Sequence, residues 1–551
     1  MLAAIAADIL AGGGAPDEVF RLLRIPRTLT AVAACAALAL SGAQMQAVFR
    51  NPLADPHIMG ISSGAGLGAA LVTLAGGSAA GFLPGISLAA AASAGALAIS
   101  LLVILISRRI KGTYTLLVFG VLTGFAVNAV VSVLQSWADP ESLRLFYSWS
   151  AGTFINCGYP EIALICAATV TGAAVAFRIS KGLDILLFGD EFAALSGAAP
   201  GSVRWMSLTG CCIMTGCVTA FCGPIGFAGI VAPHIARKVT GTSVHRTVLA
   251  ASLFIGGTAG ALADLISQTA PAPVPAGSTM ALAGIPVIIY IMLKRKPATV
   301  SAGEDRTCKC AGCTASQDGD PVLRTENLSI GYGDNVLCSE IDIEIHRGDC
   351  ILLCGANGSG KTTLLRTLAS QCNMTNNDKV AMIPSGIPKV KGFSLEEFID
   401  TGCFTLSDSR GRMPGRYRKR LREVMDRMHI LDLKGRDIST LSDGEFQKGC
   451  IAAALCRDSD IILLDEPTAY LDPENRIEVL SALKEISVSY GKAVVFSSHD
   501  IKESIRFCNR VAAIGADCKF RISSYEGPDS GDRKMQTALS IFRNKNINFE
   551  V

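Results

Sequence analysis

The chain has 551 residues, enough for more than one domain, and its 50 Lys and Arg against 47 Asp and Glu leave a formal net charge of +3 at pH 7. The charge is unevenly placed. Residues 1–297 hold 28 charged side chains, too few to coat a water-facing surface of that length, whereas residues 298–551 hold 69, an ordinary soluble density. That contrast excludes a single soluble globule, and no nucleic-acid partner is expected because the chain has no basic, aromatic-rich patch.

In chain order, apolar runs of spanning length fall at 28–48, 60–77, 86–107, 115–135, 161–179, 204–222, 247–266 and 279–293, with a Gly/Pro-broken segment at 223–240. Small residues dominate them, as in Ala65-Gly66-Leu67-Gly68 and Gly256-Gly257-Thr258-Ala259-Gly260, the composition that lets helices approach closely in lipid. Basic loops orient the spans: Arg108-Arg109-x-Lys111, Arg178 to Lys181, Arg237-Lys238 to Arg246 and Lys294-Arg295-Lys296 all fall on one side, which the positive-inside rule makes cytoplasmic. The same count puts Arg21, Arg24 and Arg27 outside. One further N-terminal helix would restore the rule, since Met1–Leu10 is too short to span.

Irregular backbone at membrane depth must be enclosed by protein or line a cavity, so 223–237 is either a pathway or gate wall or a structural kink. His234, near the cytoplasmic end of this segment, is expected to pack or hydrogen-bond rather than bind a ligand. Asp264 is the lone acid within a late span, either functional or reaching water at the span's end.

Residues 298–320 read as a linker. It contains Cys308-x-Cys310-x-x-Cys313, which lacks the fourth ligand of a closed zinc site and reads as free thiols or as a partial soft-metal site. Of the 19 cysteines in all, several sit in apolar runs (Cys211, Cys212, Cys217, Cys222) or beside nucleotide motifs (Cys350, Cys354) and read as buried hydrophobes, and no disulfide framework is expected.

Beyond the linker, the apolar strand Ile351-Leu352-Leu353-Cys354 leads into Gly355-Ala356-Asn357-Gly358-Ser359-Gly360-Lys361-Thr362, followed by Thr363, a match to the phosphate-binding loop G-x-x-x-x-G-K-[ST]. Glycines let successive N–H groups face phosphate oxygens at a helix N-terminus, with Lys361 on the β/γ-phosphates and Thr362 on Mg2+. A second strand, Ile461–Leu464, ends in Asp465, placed to hold Mg2+, and Glu466, placed as catalytic base; a third, Val494–Ser498, ends at His499. The expected cofactors are ATP and Mg2+.

Two resemblances now rest on these residues. Arg24-Ile25-Pro26-Arg27, Asn51-Pro52-Leu53-Ala54-Asp55-Pro56 and Gly223-Pro224-Ile225-Gly226-Phe227 through Pro233-His234-Ile235-Ala236-Arg237 resemble the iron-siderophore, haem and cobalamin family of ABC importer permeases. Gly189-Asp190-Glu191-Phe192-Ala193-x-x-x-Gly197 is similar to that family's docking segment, which implies that Asp190, Glu191 and Gly197 couple to the ATPase. Leu441-Ser442-Asp443-Gly444-Glu445 with Gln447 resembles the ABC signature, Leu471-Asp472 the D-loop and His499 the switch histidine. The resemblance implies that Ser442, Gly444 and Glu445 contact ATP and that Tyr332 stacks on adenine. Two departures imply slower turnover: Asp443 replaces a glycine, and Ser385 stands where a strand normally ends in the Q-loop glutamine. The short stretch between Lys361 and Ser385 also implies a trimmed β-hairpin.

The expected architecture is a polytopic α-helical membrane domain of about nine to ten spans over 1–297, a linker at 298–320, an α/β P-loop NTPase domain of ABC type over 321–530 and a tail at 531–551. It implies a multi-pass protein of the cytoplasmic (inner) membrane, embedded in lipid, with its ATPase in the cytoplasm. One P-loop and one signature per chain imply a homodimer, served by an extracytoplasmic substrate-binding protein. The implied function is ATP-driven import of a metal chelate, a ferric siderophore or haem first and a corrinoid second. The alternative is a nucleotide-sensing membrane protein whose transport function has decayed.

Overall fold

A computed structural model describes residues 1–10, 23–74, 87–107, 109, 112–155, 157–269, 274–293, 321–332, 335–374, 380–407, 413–457, 459–469, 471–515 and 519–524. The linker with Cys308, Cys310 and Cys313, the basic residues Arg108, Lys111 and 294–296, and the tail at 531–551 lie outside the described residues. The chain divides into two compact units, Met1–Leu187 with Ala199–Ala302, and Phe188–Ala198 with Gly303–Val551.

The first unit is helical: α1 (Leu2–Leu10), α2 (Ile25–Val48), α3 (Ile61–Thr73), α4 (Leu88–Ser107), α5 (Thr113–Trp137), α6 (Pro140–Ser150), α7 (Tyr159–Arg178) and α8 (Ser180–Leu186). After the excursion into the other unit come α10 (Pro200–Cys222), α11 (Ala228–Thr240), α12 (His245–Thr269) and α13 (Ala276–Leu293), with α9 (Asp190–Leu195) inside that excursion. Among the described residues, α2, α4, α5, α7, α10 and α12 are long and apolar enough to cross a membrane, and α3 and α13 are shorter apolar helices. Within the run expected at 60–77 the described residues form a helix of 13 residues, and 75–77 lie outside them. Helix α6 was not foreseen; Asp139 caps its N-terminus by accepting from the Ser142 amide at 3.0 Å.

Helix α2 is the centre of this unit, with 89% of its apolar window buried, against 28%, 22% and 28% for α4, α5 and α7. Those outer helices expose Leu97, Leu101, Leu122, Phe125 and Leu164, large apolar side chains at the surface. Close packing at the centre depends on missing side chains. A Cβ on Gly260 would lie 2.2 Å from the Ala31 carbonyl oxygen, and one on Gly42 would collide with the Gly229 backbone. Asp264 is wholly buried, so it does not reach water; its carboxylate accepts from Arg27 Nε at 2.7 Å and from Gln268 at 2.8 Å.

The break before α11 runs from Gly223 (φ 73°) to Phe227, a non-glycine residue at φ 69°. Within it His57 Nε2 bonds Ile225 O at 2.8 Å, and in the first turn of α11 the Gln46 amide donates to Gly229 O and Ile230 O at 3.2 and 3.3 Å. Arg237 in turn donates to Gln46 Oε1 at 2.6 Å. His234 Nε2 bonds Pro52 O at 2.9 Å, the hydrogen-bonding role expected of it.

The second unit opens with the antiparallel pair β1 (Leu323–Tyr332) and β2 (Asn335–Ile345). Then follow β3 (Cys350–Gly355), α14 (Lys361–Met374), β4 (Val380–Ile383), α15 (Leu395–Gly402), α16 (Gly415–Arg427), α17 (Asp443–Cys456), β5 (Ile461–Leu464), α18 (Pro473–Tyr490), β6 (Ala493–Ser497), α19 (Ile501–Ser504), β7 (Arg510–Ile514) and β8 (Phe520–Ser524). The main sheet has the order β4-β5-β6-β3-β7-β8, parallel except for β7 against β8. Its central strands are apolar up to their carboxyl ends and buried, as helix-covered parallel strands must be. Among the described residues no strand lies between α14 and β4.

Candidate functional site

The parallel order brings the carboxyl ends of β3, β4, β5 and β6 to one edge, and the polar residues that follow each strand meet there. From β3 the chain turns through Gly358 (φ 79°) and Gly360 (φ 100°), left-handed positions that glycine adopts without strain, and enters α14 at Lys361. Lys361 is 6% exposed, and its ammonium donates to Gly355 O at 2.8 Å and Ala356 O at 3.1 Å. Burial pulls its pKa below the ordinary lysine value, against the opposing pull of the nearby Glu466 and Asp465 carboxylates. Ser359 Oγ is buried in the same loop with no hydrogen-bond partner among the described residues. A loop with a buried ammonium, an unpaired hydroxyl and a helix N-terminus fits a polyphosphate.

Asp465 is the hub of the edge. Its carboxylate accepts from Thr362 Oγ1 at 2.9 Å, from Ser497 Oγ at 2.8 Å and, at a longer 3.4 Å, from Ser385 Oγ. Oxygen donors of this kind suit Mg2+, and Thr362 and Asp465 are the residues that would hold it. Glu466 follows in the left-handed region (φ 50°), its amide donating to Ser497 Oγ at 2.9 Å. His499 Nε2 and Glu466 Oε1 are 2.7 Å apart. Ser497 thus ties two consecutive acids, a role that sequence reading missed because only the β5–β6 register makes it visible.

The signature residues lie on another element than the P-loop, at the start of α17. Ser442 caps the helix by accepting from Glu445 N at 3.2 Å, and its own amide donates to Glu445 Oε2 at 2.7 Å, which holds that carboxyl below the usual range. A Cβ on Gly444 would lie 2.5 Å from Asn475 Oδ1, so α17 closely approaches the start of α18 here. Asp443 does not stand alone: Lys389 Nζ is 2.6 Å from its Oδ1 and donates to Leu441 O at 2.7 Å. Lys389 was not singled out in the sequence. Asp472 caps α18 through Asn475 N at 2.8 Å, and Tyr332 ends β1 paired with Asn335.

The segment Phe188–Ala198 belongs to this same unit. Phe188 meets Phe393 and Phe398 edge-on at 5.2 and 5.1 Å, and Phe192 stacks on Phe398 at 5.9 Å. Glu191 pairs with Arg366 at 2.6 Å, and Arg457 donates to Leu195 O at 2.6 Å. Asp190 occupies the first position of α9. Gly197 (φ 81°) presses so closely on Thr405 that a Cβ would lie 2.1 Å from Thr405 Cγ2.

Comparison with known proteins agrees with both parts. Residues 3–294 match the FecCD transport family and residues 338–469 match the ABC transporter family. The vitamin B12 import system permease protein BtuC of Citrobacter koseri is 36% identical over 276 residues, 50% of this chain and 82% of that protein. Its counterpart from Salmonella typhimurium is 36% identical over 274 residues, 49% of this chain and 82% of its own length. A solved inward-facing ABC transporter shares 26% identity, covering 53% of this chain and 97% of its own, with a TM-score of 0.48.

Proposed function

Because the chain belongs to the FecCD transport family, we propose that two copies of it form an importer for a bulky metal chelate. The second domain is an ABC-type ATPase, taking ATP with Mg2+ and hydrolysing it to drive transport. The observation that carries the reading is that a FecCD permease shares one polypeptide with an assembled edge of Lys361, Thr362, Asp465, Glu466 and His499.

In this reading the triphosphate lies along Gly355–Thr363, with Ala356, Asn357 and Ser359 contributing loop groups and Tyr332 against the base. Mg2+ supplies positive charge against the phosphoryl oxygens. Glu466 takes the proton of the attacking water, and His499 holds that carboxylate in place. Ser442, Gly444 and Glu445, which lie on another element than their own P-loop, face the nucleotide of the second copy, which is why a homodimer is required. Asp190, Glu191 and Gly197 transmit closure of the ATPases to the permease.

The substrate class is a ferric siderophore, haem or corrinoid, delivered by an extracytoplasmic binding protein; the names of the relatives above support the corrinoid. The inner membrane is the expected site, with the ATPase in the cytoplasm.

The test is hydrolysis by the full chain in lipid nanodiscs, with the binding protein loaded in turn with each chelate. One loaded form should raise the rate several-fold, and Glu466→Gln should abolish turnover while ATP still binds. Turnover that ignores every loaded form would favour the nucleotide-sensing alternative. A Glu466→Gln rate near wild type would remove that residue from the role of base.

A further inference from the structure

The loop that leaves β4 at Ile383 touches three things in ten residues of chain. Ser385 reaches Asp465, Lys389 reaches the signature, and Phe393 joins the aromatic cluster around Phe188. Lys389 is the member whose geometry is most constrained. Its ammonium holds Asp443 at 2.6 Å and the Leu441 carbonyl at 2.7 Å, and it lies 5.7 Å from the centroid of the Phe446 ring. Phe446 in turn packs 5.1 Å from Phe398, on which Phe192 stacks. A continuous run of contacts therefore joins Phe192 to Asp443.

Asp443 needs such a partner. At the first position of α17 its carboxylate suits the helix dipole, but Glu445 already supplies an acid in that turn. Its side chain is 64% exposed, so an uncompensated charge would repel a triphosphate approaching this loop. Lysine cancels that charge without removing the acid.

We propose that Lys389 is a positioning residue of the signature loop: it neutralises Asp443 and fixes Leu441–Asp443 to the aromatic cluster that holds the Phe188–Ala198 segment. This rests on the composite-site reading above. Movement of that segment is then felt at the loop facing the partner's nucleotide, and the departure at Asp443 is tolerated because the lysine accompanies it.

The test compares wild type, Lys389→Met, Asp443→Asn and the double variant as full chains in nanodiscs, measuring KM and kcat for ATP together with amide exchange over Leu441–Glu445. Lys389→Met should raise KM about tenfold with a smaller change in kcat, because an exposed anion now meets the triphosphate. The double variant should bring KM back to within about threefold of wild type, since the anion is gone. Exchange over Leu441–Glu445 should quicken in both variants that lack the lysine and stay unchanged in Asp443→Asn. An unchanged KM in Lys389→Met, a KM that the second substitution does not restore, or unchanged exchange would each overturn the inference. A wild type whose hydrolysis ignores loaded binding protein would instead overturn the importer reading, and amide exchange would still decide on Lys389.

Discussion

At Ser385, where the resemblance leads one to expect a Q-loop glutamine, the geometry sets a magnitude. The hydroxyl reaches Asp465 at 3.4 Å, the longest of the contacts to that carboxylate, while Thr362 and Ser497 hold it at 2.9 and 2.8 Å. A contact of that length contributes little. Ser385→Ala should therefore change kcat by less than about threefold, and Ser385→Gln should preserve or raise it. A loss above about tenfold for the alanine variant, roughly 1.4 kcal/mol in the barrier, would give Ser385 a direct part in the chemistry. The contacts of Ser385, Ser497 and Lys389 could not be read from spacing. Asp465 and Glu466 announce themselves at the end of an apolar strand, but Ser497 is 32 residues from Asp465 and meets it only because β5 and β6 are neighbours. Lys389 is likewise 52 residues from Leu441.

Among the elements, α9 shows how burial and charge divide the work. The Glu191–Arg366 pair is well exposed on both sides, at 38% and 43%, and such pairs contribute about 0–1 kcal/mol. Phe192 is buried to 2%, and burying a phenylalanine contributes about 1.5–3 kcal/mol, so the ring supplies the attachment and the ion pair sets its register. Reversing Glu191 to lysine should then leave basal hydrolysis within about twofold of wild type while at least halving the stimulation by loaded binding protein. Combining it with Arg366→Glu should restore the stimulation. Full uptake by the single reversal would end the coupling role. The spans of this molecule were legible because lipid leaves few options for an apolar run. Helix α6 was not, since Ser142–Ser150 mixes Leu145, Phe146 and Trp149 with Arg144 and Ser148 at sub-span length. Asp264 shows the same limit: its partner Arg27 lies 237 residues away, so position in the span suggested water where the fold supplies a guanidinium.

For the whole molecule, the position of the signature on another element than the P-loop has a reading with a mass attached to it. On the proposed homodimer, a second copy contributes Ser442 and Gly444, so hydrolysis should appear only in particles of two full chains. Mass photometry of the active nanodisc fraction should give twice the 57.6 kDa chain mass above the empty disc. Full activity in single-chain particles would rule out the composite site.

On the proposed coupling role, the placement of Phe188–Ala198 in the same unit as the ATPase gives its docking contact an unusual thermodynamic footing. In an assembly of separate subunits, that contact must hold its partner against dilution. In a single polypeptide it closes a loop at an effective concentration on the order of millimolar. A variant weakened by about 2 kcal/mol would lose about thirtyfold in that closure, yet the two parts would stay joined. Docking lesions should therefore reveal themselves here as slippage between fuel use and cargo, with the stoichiometry of the particle untouched.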